Sequence, residues 1–364
     1  MNVLILNAKR KWCGVITLCV KIAQELHRNN YKSYVISRKS KLFTKESLQS
    51  SEFTNMKFGM DFNPILILKL IFFIKKNKIT LLITNMKKEI LVGGIAAKLC
   101  GIKNIRIVGN ERDFEPGFVS SFMYKHFVDH FIAPSKHTVQ QVFKRCEWLD
   151  KDRVSTVYNG QKISNFDVEK ISVQKREWGF SEDNIIIGTT GRLVKNKAVD
   201  QLVHAFERVH RNHPETRLVI TGIGNELENL KDLAKEIELE DNIHFAGFTH
   251  SPLLAAAAYD IGVMASKYEG FPFVLLEYLS SNTVAVSSNF KGVHEVLTHA
   301  ENGLIYRYGD IDDLAKKIIT LIDNSNLKNE LIRNGEKTIR ENFTEEKMNK
   351  KFLEIIINHS RIRK

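Results

Sequence analysis

Residues 266–282 read SKYEGFPFVLLEYLSSN. The stretch carries two glutamates, Glu269 and Glu277, with seven residues between them. Residues 259–266, YDIGVMAS, form a short apolar run ending in small residues, the pattern of a buried strand. Residues 283–288, TVAVSS, read as another strand. Between them Glu269-Gly270-Phe271-Pro272 makes a turn, and 273–281 has helical periodicity. Pro272 suits the first helical turn, where its missing N–H has no helical partner to lose. Glu269 then sits on a loop at the carboxyl end of a strand. Glu277 lies on the following helix, on the face of Phe273. Parallel α/β sheets bind ligands at that edge. The bland alternative is one solvated glutamate and one on a helix surface.

The residues on either side repeat the pattern. Residues 184–190 form a strand that runs into Gly191-Arg192-Leu193-Val194-Lys195-Asn196-Lys197, and a helix follows over 199–209. A planar Arg and a flexible Lys beside a helix N-terminus make an anion site. A strand at 216–221 leads into Gly222-Ile223-Gly224, and one at 243–245 into Gly247-Phe248-Thr249. A lone G-x-G is weak support for a dinucleotide, because the third glycine is missing. Asp310-Ile311-Asp312 has the spacing of a metal-binding D-x-D, but a helix follows at once and helix capping is the better reading. Helices at 327–340 and 345–358 end the chain.

The first half opens as strand, loop and helix: 3–6, then Lys11-Trp12-Cys13-Gly14-Val15, then 16–28. Gly14 serves either a tight turn or a close backbone approach to a phosphate. Residues 62–76 read as a helix opened by Pro64, 80–84 as a strand, and 88–99 as a helix closed by Gly101. The strand 105–108 runs into a polar cluster, Gly109-Asn110-Glu111-Arg112-Asp113. Those three charged residues either contact a second substrate or satisfy one another. Residues 161–182 are polar with little periodicity and read as an interdomain linker.

At 364 residues the chain fits two domains. Its 43% hydrophobic and 26% charged content is that of a soluble globular protein. Four scattered cysteines without a C-x-x-C pair suggest a reducing compartment and no zinc site. The apolar N-terminus is too short for a signal peptide. The most apolar run, 65–74, contains Lys69 and falls far short of the roughly 20 residues that span a bilayer. Net charge is +12, unevenly placed. Residues 1–165 hold 28 Lys and Arg against 12 Asp and Glu, or +16, and the remainder holds 26 against 30, or −4. No nucleic-acid motif accompanies the basic half, which leaves an anionic membrane face or an acidic substrate, or a plain lysine bias.

Taken together, these motifs resemble the retaining GT-B glycosyltransferases of family 4, the group 1 glycosyltransferases, which include bacterial cell-envelope and lipopolysaccharide enzymes. The stretch at 266–282 resembles their E-x7-E motif. Residues 191–197 resemble G-R-L-x-x-x-K, with Ala198 in place of the usual following Gly and Asp200 retained. Asn289-Phe290-Lys291-Gly292-Val293-His294-Glu295 resembles G-G-x-x-E with Lys291 for the first Gly. The resemblance is strong over 154–310 and loose before it.

The resemblance implies an α/β fold of two Rossmann-like domains facing across a cleft, with the last helix returning to the first domain. An acceptor domain would comprise 1–165 plus 345–364, and a donor domain 166–344. The activity implied is transfer of a sugar with retention, from a nucleotide-diphosphate sugar (UDP-sugar favoured) to a glycan or glycolipid acceptor of the cell envelope. Glu269, Arg192 and Lys197 would carry the chemistry. Gly14, Gly191, Gly222, Phe248, Gly270, Phe271, Pro272, Phe273 and Glu277 would help bind the donor. Glu111, Arg112 and Asp113 would face the acceptor, in a cluster that lacks the histidine usual there. Carboxylates suit the sugar and ribose because they only accept hydrogen bonds, which hydroxyls donate. No metal and no cofactor is implied, and no nucleic acid. The expected location is cytoplasmic, with an anionic membrane surface as a further partner. Alternatives of other classes are a nucleotide-sugar epimerase, a nucleotide-dependent oxidoreductase and a non-catalytic sugar-nucleotide binding module.

Overall fold

A computed structural model describes residues 1–9, 14–38, 52–58, 62–110 and 117–360. The chain divides into two compact units, Met1–Tyr158 with the segment from Glu346 onward, and Asn159–Glu345. The acceptor candidates Glu111, Arg112 and Asp113 lie outside the described residues.

The first unit runs β1 (Asn2–Asn7), α1 (Gly14–Arg28), β2 (Lys32–Ser37), β3 (Glu52–Asn55), α2 (Pro64–Lys76), β4 (Leu81–Thr84), α3 (Lys87–Leu99), β5 (Lys103–Ile107), α4 (Phe118–Phe127), β6 (His130–Ala133), α5 (Lys136–Arg145) and β7 (Val154–Thr156). The strands form one parallel sheet in the order β3-β2-β1-β4-β5-β6-β7. Strands buried on both faces read as continuous apolar runs, as in LLIT of β4. Alternate residues face opposite ways. Val3, Ile5, Leu81 and Ile83 pack with α1, while Leu4, Leu6 and Leu82 pack with α2 and α3. Asn63 caps α2 by accepting from Leu66 N at 3.0 Å, just before Pro64.

The second unit runs α6 (Val168–Glu177), β8 (Ile185–Thr190), α7 (Val199–Asn212), β9 (Thr216–Thr221), α8 (Leu227–Glu236), β10 (Ile243–Gly247), α9 (Pro252–Ala257), β11 (Ile261–Met264), α10 (Phe273–Leu279), β12 (Val284–Ser288), β13 (Leu304–Tyr306), α11 (Ile311–Asp323) and α12 (Ser325–Asn342). Its parallel sheet has the order β10-β9-β8-β11-β12-β13. The strand order therefore reverses between β8 and β11. In the first unit it reverses between β1 and β4. The final helix, α13 (Glu345–His359), sends Met348, Phe352, Ile355 and Ile356 into the core of the first unit.

Three sequence expectations are corrected. The stretch 161–182 is not a bare linker, because it contains α6, which packs against α9. That helix is polar nearly all round and buries only Ser172, so it left little periodicity to read. Pro272 does not enter the helix. It is the extended cap residue, φ −76° and ψ 126°, and Phe273 is the first helical residue. Gly14 is the first residue of α1 rather than part of the preceding loop.

Candidate functional site

Ligands of open α/β sheets bind beyond the carboxyl ends of the strands, where the strand order reverses. In the second unit that point lies between the loops leaving β8 and β11, which are paired neighbours. The β8 loop is the Gly191–Lys197 stretch and the β11 loop is Ser266–Pro272. Lys197 Nζ donates to Glu269 Oε1 at 2.6 Å, with both side chains mostly buried, 18% and 17% exposed. Two further hydrogen bonds join the loops. Lys267 N–H donates to Asn196 O at 2.9 Å, and Asn196 Nδ2 to Tyr268 O at 3.2 Å. Arg192 is exposed at the same strand end. Two buried polar atoms of these loops, Ser266 Oγ and Asn196 Oδ1, have no hydrogen-bond partner among the described residues.

The backbone explains why Lys197 stands here. Residues Lys195–Lys197 form a single 3-10 turn, and Ala198 then takes a left-handed conformation, φ 47° and ψ 44°, before α7 begins. That conformation disfavours any residue with a Cβ, which accounts for the glycine usual in this pattern. The G-x-G after β9 has an equally local cause. A Cβ on Gly222 would stand 1.7 Å from the Gly191 carbonyl oxygen, and one on Gly224 1.9 Å from that of Leu193. Gly191 N–H donates to Thr221 O at 2.9 Å and Leu193 N–H to Ile223 O at 3.0 Å. These glycines let the β8 and β9 loops touch backbone to backbone, a local requirement that accounts for both of them.

Beneath the loops lie two wholly buried tyrosines. The Tyr278 hydroxyl accepts from Thr190 N at 3.2 Å and donates to Val263 O at 3.3 Å. The Tyr259 hydroxyl meets Thr190 Oγ1 at 3.1 Å and Thr221 Oγ1 at 2.7 Å. Burial pushes the Tyr259 phenol up to about 12, and Tyr278 well above its ordinary value. The Glu277 carboxylate adds to both shifts. Neutral tyrosines give the loops a rigid floor.

The remaining expected residues are distributed as follows. Gly270, Phe271 and Pro272 are buried, with the Phe271 ring 5.2 Å from that of Phe343. Phe273 is partly buried. Phe248 lies just past β10 and is 47% exposed, its ring edge-on to His250. Asp310 Oδ1 accepts from Asp313 N at 2.9 Å and caps α11, while Asp312 pairs with Arg208 at 2.5 Å. Neither aspartate stands at the β8–β11 edge.

Two residues escaped sequence reading. Asn159 is buried and donates from Nδ2 to Phe271 O at 2.6 Å, pinning the loop that carries Glu269. In the first unit Glu89 is fully buried at the β1–β4 reversal. It accepts from Ala8 N at 2.5 Å, Asn85 N at 2.6 Å and Met86 N at 3.1 Å. Burial pushes its carboxyl up to about 7, although those three hydrogen bonds oppose the shift. Sequence marks neither the Asn159–Phe271 contact nor the Glu89–Ala8 contact, because each joins distant segments, while the Glu89 bonds to Asn85 and Met86 are local to the start of α3.

Two family models match successive parts of the chain: "Glycosyltransferase Family 4" over residues 12–164, and "Glycosyl transferases group 1" over 170–338. The chain belongs to the group 1, family 4 glycosyltransferases. Among curated relatives of this glycosyltransferase chain is the lipopolysaccharide core biosynthesis glycosyltransferase LpsE of Rhizobium meliloti. It is 28% identical over 196 residues, 53% of this chain and 56% of LpsE. The capsular polysaccharide biosynthesis glycosyltransferase CapM of Staphylococcus aureus is 24% identical over 291 residues, 76% of each chain. The chain spans about half the length of several curated relatives it matches. Anabaena HepE, crystallised with UDP-glucose, superimposes with a TM-score of 0.87 at 19% identity, covering 98% of this chain and all of HepE. The fold of this chain is thus GT-B, α/β with two parallel sheets.

Proposed function

We propose that the chain is a retaining glycosyltransferase. It moves a sugar from a UDP-sugar to a glycan or glycolipid acceptor of the cell envelope, without a metal. One observation carries this reading: Lys197 and Glu269, 72 residues apart in sequence, meet at the strand reversal of the second unit. A cation and a carboxylate side by side suit a diphosphate joined to a polyol. Lys197 has three donors, so it can hold Glu269 and a phosphate oxygen together. Arg192 supplies a second cation. As the bond from the anomeric carbon to the phosphate oxygen breaks, negative charge grows on the diphosphate, and these two side chains stabilise it. Glu269 accepts from the sugar hydroxyls and Glu277 from the ribose. The acceptor oxygen attacks on the face the diphosphate leaves, and its proton passes to a phosphate oxygen.

The unit assignments follow from this: the second unit holds the donor and the first receives the acceptor. HepE, with UDP-glucose, supports the choice of uridine. LpsE and CapM support a cell-envelope acceptor. The reading places the protein in the cytoplasm, held reversibly at the inner membrane face by its basic first half.

Among the described residues no group of three or more His, Cys, Asp or Glu is gathered to hold a metal ion. Retention is tested by proton NMR of the slow hydrolysis of α-linked UDP-sugars in EDTA. The reading expects the α anomer of the sugar to appear first, with UDP. First release of the β anomer, or activity restored only by Mn²⁺ or Mg²⁺, contradicts it.

A further inference from the structure

Helix α2 is apolar on two opposite sides. Leu66, Ile67, Leu70 and Ile74 face inward and are buried in the core beneath β1 and β4. Ile65, Leu68 and Phe72 face outward, 68%, 67% and 68% exposed, and Phe62 just before the helix is 55% exposed. At about 100° per residue these three fall in one stripe. Lys75 borders it on one side, and Lys69 and Lys76 on the other, all three exposed. Helix α3 lies between α2 and α4, in contact with both. On α4, Phe118, Val119 and Phe122 are exposed too, at 89%, 69% and 51%, beside exposed Lys125 and His126. At the end of α3, Lys98 and Leu99 are also exposed.

A helix on the surface of a globular protein normally turns its polar residues outward. Single exposed apolar residues are ordinary, but contiguous ones rimmed by charge mark a contact surface. The charge selects the occupant. Neither α2 nor α4 contains an Asp or Glu, and the one acidic residue of α3, Glu89, is buried. A second copy of this chain meeting it through the same face would bring like charge against like. A bilayer with anionic headgroups offers hydrocarbon to the stripe and negative charge to the lysines that border it. Helix α2 has 13 residues, and no described helix is long and apolar enough to cross a membrane. Such a helix lies in the interface, its lysines reaching up to the headgroups.

We propose that the outward faces of α2 and α4 form a membrane-seating surface that inserts Ile65, Leu68, Phe72, Phe118 and Phe122 into the headgroup boundary of an anionic bilayer. This goes beyond electrostatic attraction of a basic half and does not depend on the transfer reaction. The test is co-sedimentation of the full chain with vesicles of phosphatidylcholine, with and without about a third phosphatidylglycerol. The charge-neutral variant Leu68→Gln/Phe72→Gln should bind anionic vesicles at least tenfold more weakly, while its far-UV spectrum and UDP binding stay unchanged. Replacing Lys69, Lys75 and Lys76 by Gln should weaken binding by a similar factor or more. In Phe72→Trp, emission should shift to the blue with anionic vesicles and be quenched by brominated acyl chains. Failure of the wild type to pellet with anionic vesicles at low salt overturns the proposal. So does undiminished binding by the Gln double variant, or a dimer in sedimentation velocity that this variant dissociates.

Discussion

Replacing Lys197 by Ala separates what the ion pair does for the fold from what it does for the reaction. The pair is short, 2.6 Å, and intermediate in burial. Exposed pairs are worth roughly 0–1 kcal/mol, and breaking a buried one costs about 3–5 kcal/mol. The stability loss should fall between these, at about 1–2 kcal/mol. A native unit is stable by roughly 5–15 kcal/mol, so the variant should fold. The kinetic loss should be larger. A charged donor aimed at a leaving group that gains charge contributes about 2.7–4 kcal/mol, or roughly a hundredfold to a thousandfold in rate. We therefore expect Lys197→Ala to lower kcat/KM by about a hundredfold or more. The assay is UDP release from a panel of UDP-sugars without acceptor, which needs no knowledge of the acceptor. Urea denaturation of the same preparation gives the stability cost. A folded variant with nearly unchanged kcat/KM would refute the diphosphate assignment. A loss of rate fully matched by a loss of folded protein would refute the separation of roles.

Three other perturbations probe different parts of the molecule. Glu269→Gln keeps the shape but not the charge, so calorimetry should find nucleoside diphosphate affinity within a few-fold of wild type while turnover collapses; lost binding in a folded variant would move Glu269 to the nucleotide or to a structural role. Gly222→Ala forces a Cβ to within 1.7 Å of the Gly191 oxygen and should cost more than about 2 kcal/mol in urea denaturation, together with weaker donor binding; a cost below about 0.5 kcal/mol would mean that the loops yield freely. Glu89 titrates near 7 when folded and near its ordinary 4.5 when unfolded, so the stability it contributes is full below about 4.5 and lost as pH rises through about 7. The stability of wild type relative to Glu89→Gln should accordingly decline from pH 5 to pH 8, and a difference that does not vary with pH would contradict the burial account.

The strand-reversal edge of the second unit was legible in sequence because its chemistry is local. A run such as IIIGTT followed by glycine, arginine and lysine specifies a buried strand and a turn without reference to the rest of the chain. Lys197 and Glu269 each stand out in sequence for their own surroundings, and pairing of β8 with β11 brings them together. What was missed depends on distant partners. Asn159 gives no hint that it holds the Phe271 carbonyl, nor Glu89 that it gathers three amide groups. Helix α4 gives no helical signal in sequence, because its outward Phe and Val erase the contrast between faces on which helical reading depends. The same loss of contrast in α2 hid a surface inside what read as one apolar helix. The glycines at 222 and 224 are weak evidence in sequence for a cofactor, because backbone crowding and phosphate approach demand the same residue.

The central claim is that the edge between β8 and β11 holds a uridine diphosphate. Calorimetric titration of wild type and Lys197→Ala with UDP, in EDTA, tests it most directly, with GDP and ADP as comparisons. The account predicts saturable one-to-one binding of UDP to the wild type without added metal, preferred over GDP and ADP, and at least tenfold weaker in the variant. Folded wild type that binds none of the three, or a variant that binds UDP as tightly as wild type, would contradict it.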